Sequence, residues 1–514
     1  MTALPMTDTV AVIGAGAMGA GIAQVVAQAG HPVLLFDAKE GAAEKGRAGV
    51  LAGLDRLVEK GKLTAAERDA VAERLVVAVT LADLKDARLV IEAIVENLDV
   101  KRQVFSALED VVAQDAILAT NTSSLSVTAI AAGLKRPERV AGLHFFNPAP
   151  VMKLVEIVSG LASSKPVLDT LFDTALAWKK EPVRATSTPG FIVNRVARPF
   201  YAEALRLLEE GAADVATIDA VMREAGGFRM GPFELMDLIG HDVNYAVTRS
   251  VFDAYFGDPR FRPSLTQQEL VAAGWLGRKT GRGFYDYRPD AAKPAPATLE
   301  PGTDPDLVVV EGDVGPAEPL VHALKATGVQ VTREEGGGHI RIYGATLALT
   351  DGRTATSRVR MGEPSDLVLF DLALDYKTAS RIAIATPDQG QEGAAAAAAG
   401  LFRSLGKAVS VVDDAPGLVV LRTLAMLANE AADAVLQGVA SPSDIDRAMT
   451  LGVNYPRGPL AWTDDAGLPR ILAVLDHLHK TYGDDRYRAS RLLRRRVEAR
   501  RLISTNRDAT ASET

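Results

Sequence analysis

One segment of this chain occurs twice in a single register. Pro189-Gly190-Phe191-Ile192-Val193-Asn194-Arg195 returns 227 residues later as Pro416-Gly417-Leu418-Val419-Val420-Leu421-Arg422. At the same offset, without gaps, Glu203 meets Glu430, Gly211 meets Gly438 and Ile218-Asp219 meets Ile445-Asp446. Met222 likewise meets Met449, and Gly231-Pro232 meets Gly458-Pro459. Chance matches do not hold one register over roughly forty residues, so the chain carries a duplicated domain. From Phe191 to about Gly274 the apolar spacing is helical, punctuated by Pro199 and Gly211. The duplicated unit is therefore an all-helical domain.

The first 150 residues read differently, as short apolar runs alternating with helical stretches, the pattern of a parallel sheet. Val10–Ile13, Val33–Phe36, Leu89–Glu92, Ile117–Thr120 and Val140–His144 are the expected strands. The charged, Ala-rich stretch from Glu44 to Arg74 reads as a helical hairpin turning at Gly61. A Pro-, Ala- and acid-rich linker runs from Arg288 to Pro305 and marks the clearest boundary. Beyond it, Leu307–Val310, Val329–Thr332, Leu367–Phe370, Ile382–Ala385 and Val409–Val412 are strands of a shrunken relative of the first domain. The expected division is a dinucleotide-binding domain over 1–189, a helical domain over 190–288 and a linker over 289–306. A degenerate Rossmann-like domain over 307–414, a second helical domain over 415–503 and a tail over 504–514 complete it.

Bulk properties narrow the function. A net charge of −8 over 514 residues provides no basic field for nucleic acid. No run of 18 or more apolar residues spans a membrane, and no basic stretch precedes a signal-like core. Zero cysteines exclude disulfides, thiol nucleophiles and cysteine-ligated metals, and the cytoplasm is the simplest location.

Chemistry concentrates in the first half. Gly14-Ala15-Gly16-Ala17-Met18-Gly19 follows a strand and opens a helix, so its backbone turns tightly toward a pyrophosphate that the helix N-terminus stabilises. Asp37, at the end of the next strand, suits a ribose 2′-hydroxyl and repels a 2′-phosphate, which favours NAD over NADP. His144 ends a strand at the sheet edge where such folds bind ligands, in Gly142-Leu143-His144-Phe145-Phe146-Asn147-Pro148. Glu156, twelve residues on, is a carboxylate suited to fix the imidazole tautomer and stabilise its protonated form. Spacing alone leaves His144 open between a structural residue and a base. A Ser123–His144–Glu156 acyl-transfer triad fits poorly, because no G-x-S-x-G elbow surrounds Ser123 and the dinucleotide fingerprint would be idle. No His/Asp/Glu cluster has metal-ligand spacing. The Arg-rich stretch from Arg486 to Arg501 reads as a C-terminal helix with a solvated face.

From Val10 to about Tyr287 these motifs, taken together, resemble the L-3-hydroxyacyl-CoA dehydrogenase family. The resemblance rests on GAGAMG, EAIVEN (Glu92–Asn97), NTSSL (Asn121–Leu125), HFFNP (His144–Pro148), TPGFIVNR, MGPFELMD (Met230–Asp237) and GRKTGRGFY (Gly277–Tyr285). It implies NAD as cofactor and an acyl-CoA thioester as substrate. His144 is then the general base for the C3 hydroxyl, Glu156 its support, and Ser123 and Asn194 the groups that hold the substrate. Glu96, Lys101, Asn147 and Lys279 match NAD-contacting positions beside the glycine loop and Asp37, and Lys60 on the hairpin matches a CoA neighbour. Lowered pH should suppress oxidation by protonating the base. The two-lobed layout resembles bacterial enzymes of phenylacetate catabolism, which implies 3-hydroxyadipyl-CoA. The alternatives are 3-hydroxybutyryl-CoA of short-chain metabolism and a non-catalytic NAD-binding structural role.

The second half departs from this pattern. Leu421 replaces Asn194, and Glu311-Gly312-Asp313-Val314-Gly315-Pro316 stands where a glycine fingerprint belongs. Asp313 would repel a pyrophosphate and Pro316 lacks a donor amide. The stretch between Thr386 and Val409 is too short for an HFFNP strand with its glutamate. One active site per chain is expected, with the helical copies packed on each other as an intrachain pseudo-dimer or the chain pairing as a homodimer.

Overall fold

The computed structural model describes residues 3–300 and 302–505, so Pro301 of the linker and 506–514 of the tail lie outside it. The chain divides into two compact units: residues up to Arg195 with Gly438–Val453, and Val196–Gln437 with the chain from Asn454 onward. The segment 438–453 of the second helical copy belongs to the first unit.

In the first unit, apolar runs too short for helices leave a sheet as the way to bury both faces of each run. Its strands are β1 (Thr9–Ile13), β2 (Val33–Phe36), β3 (Leu75–Val77), β4 (Ala87–Glu92), β5 (Ile117–Thr120), β6 (Val140–Phe145), β7 (Leu154–Ser159) and β8 (Glu181–Thr186). They lie in the order β3-β2-β1-β4-β5-β6-β7-β8. From β3 to β6 every pair is parallel; β7 runs antiparallel to β6 and parallel to β8. Order reverses between β1 and β4, the switch point where open α/β sheets bind ligands. Val10, Val12, Leu35, Leu89, Ile91 and Leu143 are buried against Ile22 and Val26 of the helix Ala17–Ala29. The hairpin forms as Ala42–Glu59 and Ala65–Arg74, with Gly61 at φ +65° in its turn.

The second unit holds both main helical bodies and a smaller sheet. Its strands are β9 (Leu307–Glu311), β10 (Gln330–Glu334), β11 (His339–Ile342), β12 (Ala345–Leu349), β13 (Leu367–Phe370), β14 (Arg381–Ala385) and β15 (Ala408–Val411). Their order is β10-β9-β11-β12-β13-β14-β15. β13 pairs antiparallel with β14, and β14 parallel with β15, repeating the β6-β7-β8 arrangement. The linker is stitched down rather than loose: Ala297 N–H donates to Thr217 Oγ1 (2.8 Å) and Leu299 N–H to Val409 O (2.8 Å).

The two helical copies pack on each other inside this unit, Arg198–Glu209 against Val420–Leu436. Glu203, fully buried, accepts from Arg422 Nε (2.8 Å), Arg486 Nη2 (2.9 Å) and Tyr487 Oη (3.1 Å). Glu210 takes the outer guanidinium nitrogens of Arg422 at 2.9 and 3.1 Å. Arg486, expected on a solvated face, is instead wholly buried here; Arg491–Glu498 is the amphipathic helix that follows. Among the described residues no helix is long and apolar enough to cross a membrane.

Candidate active site

Glycine makes the β1–helix turn possible. Gly14 lies at φ +98°, and a Cβ on Gly19 would stand 1.8 Å from Gly14 O, so the helix Ala17–Ala29 can only start this close to β1 without a side chain. Gly16 has nothing within 4 Å of a built Cβ, and it opens on a cleft of about 770 Å³. Ala17, Asp37, Asn147 and Pro148 also line this cleft, while Met18 packs against the core. Asp37 Oδ2 accepts from Ala15 N–H (2.7 Å) and Oδ1 from Lys39 N–H (2.9 Å), which fixes the carboxylate beside the glycine loop. Open space at a helix N-terminus, next to a carboxylate at the end of β2, fits a dinucleotide with an unmodified ribose.

At the far end of the sheet, the antiparallel register sets His144 directly opposite Glu156. His144 Nδ1–H donates to Glu156 Oε2 at 2.6 Å, both side chains being buried. A carboxylate only accepts, so a ring proton sits on Nδ1, and in the neutral imidazole Nε2 is the acceptor. Nε2 has no hydrogen bond among the described residues. The other carboxylate oxygen, Oε1, accepts from Ile192 N–H (3.0 Å) and Val193 N–H (3.1 Å) at the start of the helix Val193–Val196. Glu156 therefore joins the imidazole to a helix start. Phe146 and Phe191 flank the ring, with centroids 4.5 and 5.8 Å away.

The serine loop is built on Glu96. Its carboxylate accepts from Thr122 Oγ1 (2.5 Å), Ser123 N–H (3.0 Å) and Ser124 N–H and Oγ (3.2 and 3.0 Å). Burial opposes the Glu96 charge, but these donors and the Lys101 ammonium outweigh it and hold its pKa below the usual range. Asn194 Nδ2 reaches Ser123 O at 3.5 Å, so the helix start and the serine loop meet. Lys101 is almost fully buried and pairs with Glu92 (2.6 Å) and Glu96 (3.3 Å), so it meets the loop through Glu96 rather than as an open cation. Lys60 is exposed at the end of the helix Ala42–Glu59 and has no side-chain partner among the described residues. Lys279 lies in the second unit, ion-paired with Asp242.

Residues not singled out in the sequence also shape the site. Asn121 Oδ1 accepts from Phe145 N–H (2.8 Å) and ties the serine loop to the histidine strand. Lys180 Nζ donates to Ala149 O (2.6 Å) and Met152 O (2.8 Å), closing the loop between β6 and β7. The repeat exposes this second role: Lys407 Nζ donates to Ala379 O (2.6 Å), and both 407 and 379 stand 227 positions after 180 and 152.

The same offset corrects the reason given for the empty second half. Glu156 pairs with Val183, and Ala383 with Ser410, each position shifted by 227. The counterpart of the histidine strand is β13, upstream of Thr386, so strand length is not what is missing. Asp371 N–H donates to Ala383 O (2.9 Å), which sets Asp371 across from Ala383 as His144 faces Glu156. The dyad positions hold Asp371 and Ala383. Asp371 accepts from Val419, Val420 and Leu421 N–H at 2.9, 2.7 and 3.1 Å, taking over the helix-start role of Glu156 without an imidazole. At the vanished glycine fingerprint, Gly315 N–H is already taken by Asp313 Oδ1 (2.7 Å).

Comparison with known proteins agrees with this layout. Residues 9–188 match the 3-hydroxyacyl-CoA dehydrogenase NAD binding domain, and 190–287 and 417–511 each match the C-terminal domain of the same enzymes. Residues 347–416 match the reduced Rossmann-fold domain of 3-hydroxybutyryl-CoA dehydrogenase. A 3-hydroxyadipyl-CoA dehydrogenase of Escherichia coli K12 is 47% identical over 95% of this chain and 97% of its own. The crystal structure of a 3-hydroxybutyryl-CoA dehydrogenase from Escherichia coli K12 superposes with TM-score 0.87 at 46% identity, covering 96% of this chain and 98% of that one. The crystal structure of an (S)-3-hydroxybutyryl-CoA dehydrogenase from Ralstonia eutropha matches over 55% of this chain and 99% of its own at 41% identity, TM-score 0.53. With its cofactor cleft, its duplicated helical domain and relatives matched over nearly the full length, the chain belongs to the 3-hydroxyacyl-CoA dehydrogenase family and is an NAD-dependent oxidoreductase.

Proposed function

We propose that His144 is the general base of this dehydrogenase and that the substrate is a 3-hydroxyacyl-CoA bearing a second carboxylate, 3-hydroxyadipyl-CoA. One observation carries the first part: the buried 2.6 Å contact between His144 and Glu156, with the other imidazole nitrogen unused. NAD, when bound, supplies the hydride acceptor for C3. His144 Nε2 takes the proton of the C3 hydroxyl as the C–H electron pair leaves, so a C=O forms and the products are 3-oxoacyl-CoA and NADH. The charge that arises on the ring lies against Glu156, whose second oxygen is held by two backbone donors and cannot turn away. Ser123 and Asn194 hold the reacting oxygen, and Glu96 keeps the serine loop in place. Asp37, Gly14, Gly16, Ala17, Gly19 and Asn147 hold the dinucleotide; Lys279 and Lys60 are the outlying contacts to cofactor and CoA. A positioned base contributes about 10²–10⁴-fold to the rate.

The dicarboxylate reading is supported by the 3-hydroxyadipyl-CoA dehydrogenase relative, 47% identical over 95% of this chain and 97% of its own length. The alternative, 3-hydroxybutyryl-CoA, is favoured by the likeness to the Escherichia coli 3-hydroxybutyryl-CoA dehydrogenase that superposes with TM-score 0.87. Steady-state kinetics with both thioesters side by side separate them. The proposal expects kcat/KM for 3-hydroxyadipyl-CoA to exceed that for 3-hydroxybutyryl-CoA by at least about tenfold, a difference of about 1.4 kcal/mol; the reverse order refutes it. The internal pair of helical domains supports a chain that works without a second copy, which sedimentation at assay concentration tests.

A further inference from the structure

The helix Pro442–Gly452 comes from the second helical copy, yet it is part of the first unit. It packs on β7 and β8, and Thr186 N–H donates to Val439 O at 2.8 Å to tie its approach to the end of β8. Its last residue, Gly452, is buried against the site. A Cβ there would lie 2.6 Å from Leu154 Cδ2 and 3.0 Å from Val193 Cγ2. Val193 is one of the two residues whose N–H holds Glu156 Oε1. Gly452, Val193, Glu156 and His144 thus form one line of contact.

Backbone conformation does not explain the glycine. Gly452 ends a helix and is absent from the left-handed region, and within a helix alanine is favoured over glycine by about 0.5–1 kcal/mol. Space does explain it, and the duplication supplies the comparison. The position 227 residues earlier is Ala225, buried, its carbonyl accepting from Leu374 N–H at 2.9 Å. A methyl group fits where this helix end meets the second sheet's domain, and does not fit without movement where it meets Leu154 and Val193.

We propose that Gly452 is a positioning residue for the reaction: the second lobe lends a helix end, bare of side chain, that sets where Val193 holds Glu156 and so where His144 points. The inference rests on reading His144 and Glu156 as the working pair. It gives the duplicated domain a part in catalysis that the loss of its own dyad had left open.

The test uses the full chain. Gly452→Ala makes the end of the Leu154 side chain swing aside and Val193 give by a few tenths of an ångström, and since about 1 Å of misplacement costs about 10²-fold, kcat should fall about tenfold. The Kd for NAD should stay within about twofold, because the glycine loop is untouched. Adding Val193→Ala removes both γ-methyls but keeps the N–H; the double variant should recover kcat to within about threefold of Val193→Ala alone. Unchanged kcat in Gly452→Ala overturns the proposal. So does a loss in which NAD affinity and thermal midpoint fall together and Val193→Ala restores nothing. If Gly452→Ala does not fold, the double variant decides alone: folded with kcat near Val193→Ala supports the contact, folded without it or unfolded overturns it. His144→Gln measured in parallel reports separately on the pair itself, since full turnover there removes the underlying reading whatever Gly452 does.

Discussion

Glu156 divides its oxygens between an imidazole and the backbone of a helix start, while Asp371, across from Ala383 in the second sheet, spends both on backbone N–H groups. One carboxylate orients an imidazole and the other only caps a helix. Burial pushes the Asp371 carboxyl up to about 6, against the backbone donors that favour its charge. The folded state therefore binds a proton between the ordinary carboxylate range and about 6 that the unfolded chain has released. Stability contributed here is present below that window and falls as pH rises through it. Asp371→Asn removes the ionisation, so the thermal midpoint of the variant should gain on wild type between about pH 4 and pH 7, by about 2–4 °C for each kcal/mol. Parallel midpoints across that range would show that Asp371 does not titrate in the fold. At the nucleotide end, Asp37→Ala should weaken NAD binding about tenfold, the loss of one charged hydrogen-bonding partner of about 1.5 kcal/mol; isothermal titration reads it, and unaltered affinity would remove Asp37 from the cofactor site.

Elements were legible where the apolar run was unbroken. β2, β5 and β13 follow from sequence with their ends, and the hairpin turns at Gly61 as its composition predicts. β7 escaped because Glu156 interrupts Leu154-Val155-Glu156-Ile157-Val158; His144 and the backbone N–H groups of Ile192 and Val193 together satisfy the carboxylate there. β8 carries Pro182 and Arg184, and β3 is three residues long, so neither has a periodic signal. His144 and Glu156 are legible in the sequence as a candidate pair, but their contact depends on register, which no single strand encodes. Lys180 and Lys407 look like surface lysines in the sequence and are buried loop clamps in the fold. Among the helices, Arg422 anchors the two copies by pairing with Glu203 and Glu210. Arg422→Met leaves those carboxylates short of a partner and should cost about 3–5 kcal/mol, read as a lower thermal midpoint. A loss under about 1 kcal/mol would mean the copies are held by apolar packing alone.

On the scale of the whole molecule, a duplication has kept the histidine–glutamate pair in one lobe and replaced it in the other. The repeat runs from the sheet through the helical domain, which is why Lys180 and Lys407, or Val183 and Ser410, keep the same partners' positions. In the second lobe the counterpart of His144 is Asp371, that of Glu156 is Ala383, and that of Asn194 is Leu421. What persists there is the packing face, Arg422 above all, and the helix end at Gly452. We therefore expect one NAD and one proton-accepting histidine per chain. The most direct measurement is turnover and NAD stoichiometry of His144→Gln in the full-length chain, with a 3-hydroxyacyl-CoA as substrate. The prediction is one NAD bound per chain, as in wild type, and NADH formation lowered by at least about 10²-fold. Wild-type turnover, or a remainder near half of it from the second lobe, would contradict the account.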